Sequence, residues 1–372
     1  MFKKNDSASK ALLKKTAVTK PTKSLLSTLA MLVIFYVVCM ILEAAGAISF
    51  TIQNLLIDVC IYAVAAVSLN LCLGYLGELS LGHGAFMSLG AFSSALFTNL
   101  TRDTIESDFV RFLIGLLIGI LVAAVFGFLI GIPVLRLNGD YLAIVTLGFG
   151  EIVKGILNVT YVGYDDTGVY WSFISDRTGL DTMAGNAKMV INGAKGITGT
   201  SKLSTFTGGM VILIIAVVIC GFLVNSRTGR ASAAIRDNRI AAESVGINIT
   251  KYKMITFTIS AAIAGSAGVL YSHFLSSMTA VKFDFNMSIL LLVFVVLGGI
   301  GSFKGAIIAA VLLTALPELL RGLSDYRMLI YAILLIVMML LKWAPKSIEL
   351  REKLKQKNER YRVKRSLEKK ES

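Results

Sequence analysis

The sequence predicts an all-α, polytopic membrane protein of about ten transmembrane helices, and three observations carry that expectation. Charged residues make up only 16% of the 372-residue chain and hydrophobic ones 55%, whereas a soluble domain carries about 25% charged residues. Apolar runs repeatedly reach the roughly 18 uncharged residues that mark a membrane helix, so the chain reads as one membrane domain rather than two or three soluble ones. The formal charge of +14 is concentrated in the termini and one internal loop, the asymmetry that the positive-inside rule describes. The bilayer is therefore an expected partner. Nucleic acid is not, because no interleaved basic and aromatic surface is present.

The elements follow in chain order. Residues 1–24 hold seven lysines and one acid, Asp6, and are expected to form a basic cytoplasmic arm. The membrane domain is placed at 25–342. Its first run, Leu25–Leu42, is too long for the apolar core of a signal peptide and reads as a span. Ile52–Leu73, Leu81–Leu100, Phe112–Leu135 and Tyr141–Thr160 follow. The fourth span contains Gly115-xxx-Gly119 and Gly127-xxx-Gly131, a spacing that lets helices approach closely in lipid. Residues 161–208 read as a long polar loop in which four acids balance four cations. Phe206–Val224 and Met254–Leu275 are the next spans, separated by the loop 225–253. Phe285–Leu297, Gly305–Leu320 and Met328–Leu341 are short, and one of them could be a re-entrant element. Residues 343–372 form a basic tail.

Charge sets the topology. With the N-terminus inside, six spans bring the 225–253 loop, with its six Lys/Arg and two acids, to the cytoplasmic side. Ten spans bring the basic tail there too, so both termini are cytoplasmic and 161–208 lies outside the cell. Eight spans would satisfy the same rule; ten is the number adopted. The halves 25–160 and 206–341 then hold five spans each and would form an inverted five-plus-five arrangement.

Little in the chain supports catalysis. All four cysteines lie inside apolar runs without metal-ligand spacing, and there are only two histidines, so neither a metal site nor a catalytic residue is expected. Gly298–Gly305 is glycine-rich but lacks the phosphate-loop spacing, which occurs nowhere else in the chain. ATP chemistry, if the protein uses it, must then belong to another chain.

Three polar constellations remain. Residues 73–86 cluster four glycines around Glu78, Ser80 and His83. Dense glycine permits either a broken helix, with Ser80 and His83 meeting water or substrate, or a tight cytoplasmic hairpin. Residues 138–151 place Thr146 and Glu151 within an apolar helix. A carboxylate at membrane depth needs a polar interior or a partner, and Lys154 three residues on can be that partner. The reading is either a pathway lining or an intrahelical pair. The third is the 225–253 loop, which holds a short capped helix: Asp237 or Asn238 as N-cap, an Arg239–Glu243 pair, and Gly246 as its left-handed stop. Arg236, Asp237, Asn238, Arg239, Ala241, Ala242, Glu243 and Gly246 thus form a candidate docking element on the basic side, with Ala241 and Ala242 offering a low-profile face. Ser80, His83, Thr146 and Glu151 are the candidate pathway residues.

Four stretches carry a family resemblance: SLNLCLGYLGELSLGHGAF (68–86), LRLNGDYLAIVTLGFGEIVK (135–154), GRASAAIRDNRIAAESVGINITKYK (229–253) and LLLVFVVLGGIGSFKGAIIAAVLLTALPELLR (290–321). The chain resembles the permease subunits of bacterial branched-chain amino-acid ABC importers, of the LivM type. That resemblance implies a multi-pass protein of the bacterial cytoplasmic membrane that is not itself an enzyme. It would pair with a second, LivH-type permease, two cytoplasmic ATPases and an extracytoplasmic substrate-binding protein. No cofactor is expected on this chain, with ATP and Mg on the ATPase subunits. It further implies that 236–246 is a degenerate form of the Glu-Ala-Ala…Gly signature through which such permeases engage their ATPases, with Ile240 standing where the glutamate would be. Related permeases serve urea, amides or nucleosides. A reading from a different class, an ion-coupled secondary transporter, would use Glu151 and Asp58 as coupling acids.

Overall fold

The computed structural model describes residues 25–46, 48–102, 104–137, 139–165, 168–173, 188–320 and separate helical positions between 329 and 340. The chain divides into two units, residues 1–314 and 315–372, and the geometry below lies in the first. The N-terminal arm, the basic tail and half of the expected tenth span fall outside the described residues.

Eleven helices can be named in order. They are α1 (Leu25–Ala44), α2 (Phe50–Asn70), α3 (His83–Leu100), α4 (Asp108–Val134), α5 (Asp140–Val159), α6 (Phe206–Asn225), α7 (Arg227–Asp237), α8 (Arg239–Ser244), α9 (Ile249–Phe274), α10 (Phe285–Gly298) and α11 (Phe303–Leu319). Among the described residues six helices are long and apolar enough to cross a membrane: α1, α2 with the turn after it, α4, α5, α6 and α9. The others fall short for physical reasons. α3 carries His83, four polar hydroxyl residues and Asn99, and it can do so because it is almost wholly enclosed by other helices. α10 has 14 residues and α11 17.

α2 and α9 form the interior, each 72% buried over its most apolar window, against 22% for α4. The periodicity of α4 shows how it seats. Its buried residues are Arg111, Gly115, Gly119, Ala123, Gly127, Gly131 and Val134, and the five from Gly115 to Gly131 make one ridge of small residues at a spacing of four. Leu113, Leu117, Leu121 and Phe128, off the ridge, are exposed, as suits a lipid-facing surface. The ridge packs on α3 and α9 at backbone distance. A Cβ on Gly119 would come within 2.9 Å of the Gly90 carbonyl oxygen, and one on Gly265 within 3.0 Å of that of Gly119. Three helices thus meet through three glycines, the close-approach geometry that membrane helices use in the absence of a hydrophobic driving force.

The 161–208 segment departs from the expected polar loop. It contributes β1 (Tyr161–Asp165), β2 (Gly168–Ser172), β3 (Lys188–Asn192) and β4 (Ile197–Thr198). With β5 (Ser277–Met278), which follows α9, they form an antiparallel sheet of order β2-β1-β3-β4-β5. Pairing is in register at Val162–Trp171 and Ile197–Met278. Balanced charge made this segment read as loop, and the strands themselves are weakly marked. Each is five residues or fewer, and the β-favouring residues Val162, Tyr164, Val169, Tyr170 and Trp171 are interleaved with glycine and acids.

Candidate functional site

The end of α2 is where the polar motifs converge. Beyond Asn70 the helix widens into a π-helical turn, Leu71–Leu76, which closes at Gly77 in the left-handed region (φ 78°). A π turn leaves backbone carbonyls to find partners outside the helix. The Gly74 carbonyl accepts from Arg236 Nη1 at 2.6 Å. Arg236 also holds Asp237 Oδ1 through Nη2 at 2.9 Å. The approach is close enough that a Cβ on Gly77 would lie 2.5 Å from Arg236 Cγ.

The same turn receives the glycine segment between α10 and α11. Gly301 N donates to Asn70 Oδ1 at 2.8 Å, its carbonyl accepts from the Tyr75 hydroxyl at 2.9 Å, and Tyr75 stacks on Phe303 with centroids 5.1 Å apart. Gly299 and Gly301 have positive φ, 107° and 79°. Glu78, just past the turn, forms a buried ion pair with Lys253 of α9. The 73–86 and 298–305 motifs, read separately in the sequence, are thus two sides of one junction that also grips α7 and α9.

The predicted short helix is α8. Asn238 rather than Asp237 is its N-cap, with Oδ1 accepting from Ala241 N at 3.0 Å. Gly246 (φ 82°) ends it. Gly246 N donates to Glu243 O at 3.0 Å and Ile247 N to Ala242 O at 3.1 Å, the paired bonds of a Schellman stop. Ala242 is 3% exposed and packs with Ile235, Ile249 and Ile247. Its small side chain therefore faces this chain's own helices. The outward surface is made by Arg239, Ile240, Ala241, Glu243 and Val245, with Ile240 and Val245 among the most exposed large apolar side chains of the protein. α7 is fastened beneath: Ser232 Oγ lies 3.0 Å from Thr256 Oγ1 of α9. Movement of α8 is thereby tied to α9 through Ser232, Ile235 and Ala242, and to α2 through Arg236.

Three of the four pathway candidates come together, but inside the protein. His83, at the start of α3, places Nδ1 3.1 Å from Ser80 Oγ and Nε2 2.9 Å from Ser260 Oγ of α9. Ser68 and Ser260 exchange hydroxyl-to-carbonyl bonds of 2.6 and 2.7 Å between α2 and α9. Thr146 of α5 accepts from Leu81 N at 3.0 Å. Ser68, Ser80, His83, Thr146 and Ser260 are all wholly buried. The expectation that Ser80 and His83 meet water is not what this conformation holds, because the glycines at 82 and 84 bring the α3 N-terminus tight against α5 and α10. The cluster is instead a hydrogen-bonded brace across α2, α3 and α9. The second histidine braces the other end of the same helix pair, His273 Nε2 lying 3.0 Å from Ser94 Oγ.

Glu151 lies apart from this cluster. It pairs with Lys154 in an i,i+3 ion pair, its side chain 42% exposed. Around it, a Cβ at Gly148, Gly150 or Gly155 would meet nothing within 4 Å among the described residues, unlike the glycines of α4. Ile144, Ile152 and Ile156 are exposed on the same helix.

Sequence reasoning missed Ser68, Asn70, Lys253 and Ser260. Asn70 carried a usable signal, since an amide inside an apolar run is costly and needs a partner. Lys253 reads as loop charge, because the apolar run begins one residue later.

These features define a class: a polytopic helical membrane permease, with glycine-packed spans, a capped helix presented between two of them and no catalytic cluster among the described residues. Comparison with known proteins resolves it further. Residues 51–341 match the model of the family described as branched-chain amino acid transport system / permease component. The chain is 36% identical over 295 residues to the high-affinity branched-chain amino acid transport system permease protein LivM of Salmonella typhimurium, covering 77% of this chain and 67% of that one. It is 35% identical over 312 residues to LivM of Escherichia coli, covering 80% and 70%. To the high-affinity branched-chain amino acid transport system permease protein LivH of Salmonella typhimurium it is 23% identical over 282 residues, covering 75% of this chain and 88% of that one. The chain belongs to this permease family and is a membrane-spanning permease subunit of an ABC importer.

Proposed function

We propose that this subunit carries branched-chain or related apolar amino acids across the bacterial cytoplasmic membrane, and that α8 is the element through which partner ATPases drive it. The observation that carries the reading is the arrangement of α8: capped at both ends, anchored inward by Ala242, and presenting Ile240 and Val245 to the outside. Two bare apolar side chains on a short, rigid, polar-flanked helix suit insertion into a groove on a soluble partner. The cargo assignment is supported by the names of the 35–36% identical relatives.

The complete importer would hold a second, LivH-type permease, two ATPases that bind ATP and Mg, and an extracytoplasmic binding protein. Ten spans with both termini in the cytoplasm, the arrangement that the charge pattern favours, would put α7 and α8 on the ATPase side. The exposed face of α5 is the proposed contact with the second permease. A half-exposed ion pair is costly against lipid, and bare glycines invite a close-packed helix. With that partner in place, Glu151 and Lys154 would border the space between the two permeases.

The reading is tested by co-expressing the chain with its permease, ATPase and binding-protein partners and measuring uptake of radiolabelled leucine. Ile240→Asp with Val245→Asp, both on the surface, should leave the chain in the membrane at normal levels and abolish ATPase copurification and uptake. Normal copurification with the double variant would sink the α8 assignment. Competition by valine and isoleucine but not by fructose or urea is expected, and the reverse would reassign the cargo.

A further inference from the structure

α1 lies at the edge of the bundle, 17% buried over its most apolar window, and it is fastened near both ends. At its start a Cβ on Gly221 of α6 would lie 2.4 Å from Leu25 Cδ1, and Lys304 Nζ of α11 donates to Ser27 Oγ. Further along, Phe35 and Tyr36 set their rings 6.5 and 5.8 Å from that of Phe206 of α6. Between these fastenings lies a cavity of about 180 Å3, bounded by α1, α2, α6 and α11. Among the described residues its lining is wholly apolar, with Leu32, Cys60, Ala63, Met210, Leu213 and Val311 around it. It reaches the outer surface, because Ile308 and Leu312 also line it and are half exposed. An apolar cavity of roughly 150 Å3 stays dry and takes an apolar guest, and this one is of that size.

We propose that this cavity holds an acyl chain of an anionic phospholipid whose phosphate is bound by Lys304 and Ser27. Two observations choose that occupant. The first is width. A helix with its side chains is about 10–12 Å across, and the stretch of α1 from Ser27 to Phe35 is only about 12 Å long at 1.5 Å per residue. A slot closed by contacts at both ends over that length has no room for a second helix laid along it, and it admits a slender flexible chain. The second is the placing of charge. Ser27 stands one turn before Met31, and Lys304 one turn before Ile307 and Ile308, all three of which line the cavity. The cation and the hydroxyl therefore sit about 5.4 Å beyond it on the same α1–α11 seam. Ser27 is exposed, and an ammonium has three N–H donors, of which Ser27 takes one. This is the end at which Phe303 stacks on Tyr75, beside the Arg236–Gly74 bond. The charge pattern favours it as the cytoplasmic end, and the 24 residues before α1 bring seven lysines to it. Anionic lipid in the cytoplasmic leaflet is the complement of such a basic margin.

The test is native mass spectrometry of the full chain in detergent, titrated with phosphatidylglycerol and with phosphatidylcholine of matched chains. The natural chain should retain one phosphatidylglycerol about fivefold more tightly than phosphatidylcholine, the gain that one lysine near a membrane surface gives. Lys304→Gln should erase that preference and leave phosphatidylcholine binding as it was. Ile308→Trp, at the half-exposed mouth, should weaken both lipids at least about tenfold, and Leu312→Trp should repeat the block one turn on. An unchanged unfolding temperature without added lipid shows that the fold of each variant is kept; if both Trp variants unfold early, Lys304→Gln alone decides. Equal retention of the two lipids by the natural chain, an unchanged preference in Lys304→Gln, or unchanged retention in well-folded Trp variants would overturn the site. So would loss of the lipid on copurification with the second permease together with failed pairing in Ile308→Trp, which would make the slot a subunit contact.

Discussion

Arg236, one residue before the end of α7, donates from Nη1 to the carbonyl of Gly74 at 2.6 Å, 162 positions earlier in the chain. This bond joins the segment that presents α8 to the π turn that ends α2, so the proposed ATPase contact and the buried interior share a rigid link. Arg236→Ala leaves the Gly74 carbonyl without its donor and should lower stability by about 1–2 kcal/mol. It should also reduce substrate-stimulated ATPase activity of the assembled importer more than it reduces basal hydrolysis. Arg236→Lys should recover stability in part and coupling less, because an ammonium cannot hold Gly74 and Asp237 with one planar fork. Equal loss of basal and stimulated hydrolysis would show the link to be purely structural.

The Glu78–Lys253 pair is a separate fastening of the same junction, with side chains 10% and 3% exposed. Removing one partner leaves a buried charge alone. Lys253→Met should therefore cost about 3–5 kcal/mol, whereas the double variant Glu78→Gln, Lys253→Met should recover most of that loss. Thermal unfolding of the purified chain in detergent, run as a double-mutant cycle, measures the coupling. Additive losses in the cycle would mean that the two charges do not depend on each other.

How far these features could be read from the sequence depended on the range of the interaction. The spans, the glycine ridge of α4 and the caps of α8 are local patterns, set by hydropathy, by i,i+4 spacing and by one Asn and one Gly. Where these helices are described, they lie within about five residues of where pattern places them: α9, read from Met254, begins at Ile249 because Asn248 caps it. The junction was not legible, because Gly74, Arg236, Lys253 and Gly301 come from three distant segments and nothing in their local sequence says that they meet. The same holds for Ser260, an ordinary hydroxyl in an apolar helix until His83 is brought 2.9 Å from it. The sheet escaped notice for a different reason: its β5 strand is two residues long and lies beyond α9.

The His83 brace makes a prediction of its own. His83→Phe removes bonds to Ser80 and Ser260 and leaves two buried hydroxyls to find other partners. Ser260 retains its bond to the Ser68 carbonyl, so the cost should be moderate, about 1–3 kcal/mol. His83→Gln, able to reach one hydroxyl, should fall between that variant and the natural chain. Unfolding temperatures in one detergent compare them, and equal stability of all three would remove the brace from the account.

Glycines on α4 and α5 should respond in opposite ways, and that contrast tests where the second permease sits. Gly265→Val drives a branched side chain into Ala123 and the Gly119 carbonyl of α4, and overpacking of this kind costs about 1–3 kcal/mol in the isolated chain. A Cβ on Gly148 of α5 would meet nothing within 4 Å among the described residues, so in Gly148→Leu the isolated chain should unfold at an unchanged or slightly higher temperature, given the better helix propensity. If the bare face of α5 is where a second permease helix packs, Gly148→Leu should nonetheless sharply reduce recovery of that subunit in an affinity pull-down, and leucine uptake with it. Gly265→Val should lower the yield of the chain itself. Normal pairing in Gly148→Leu would move the subunit contact off α5 and leave the partly exposed Glu151–Lys154 pair to be accounted for by water alone.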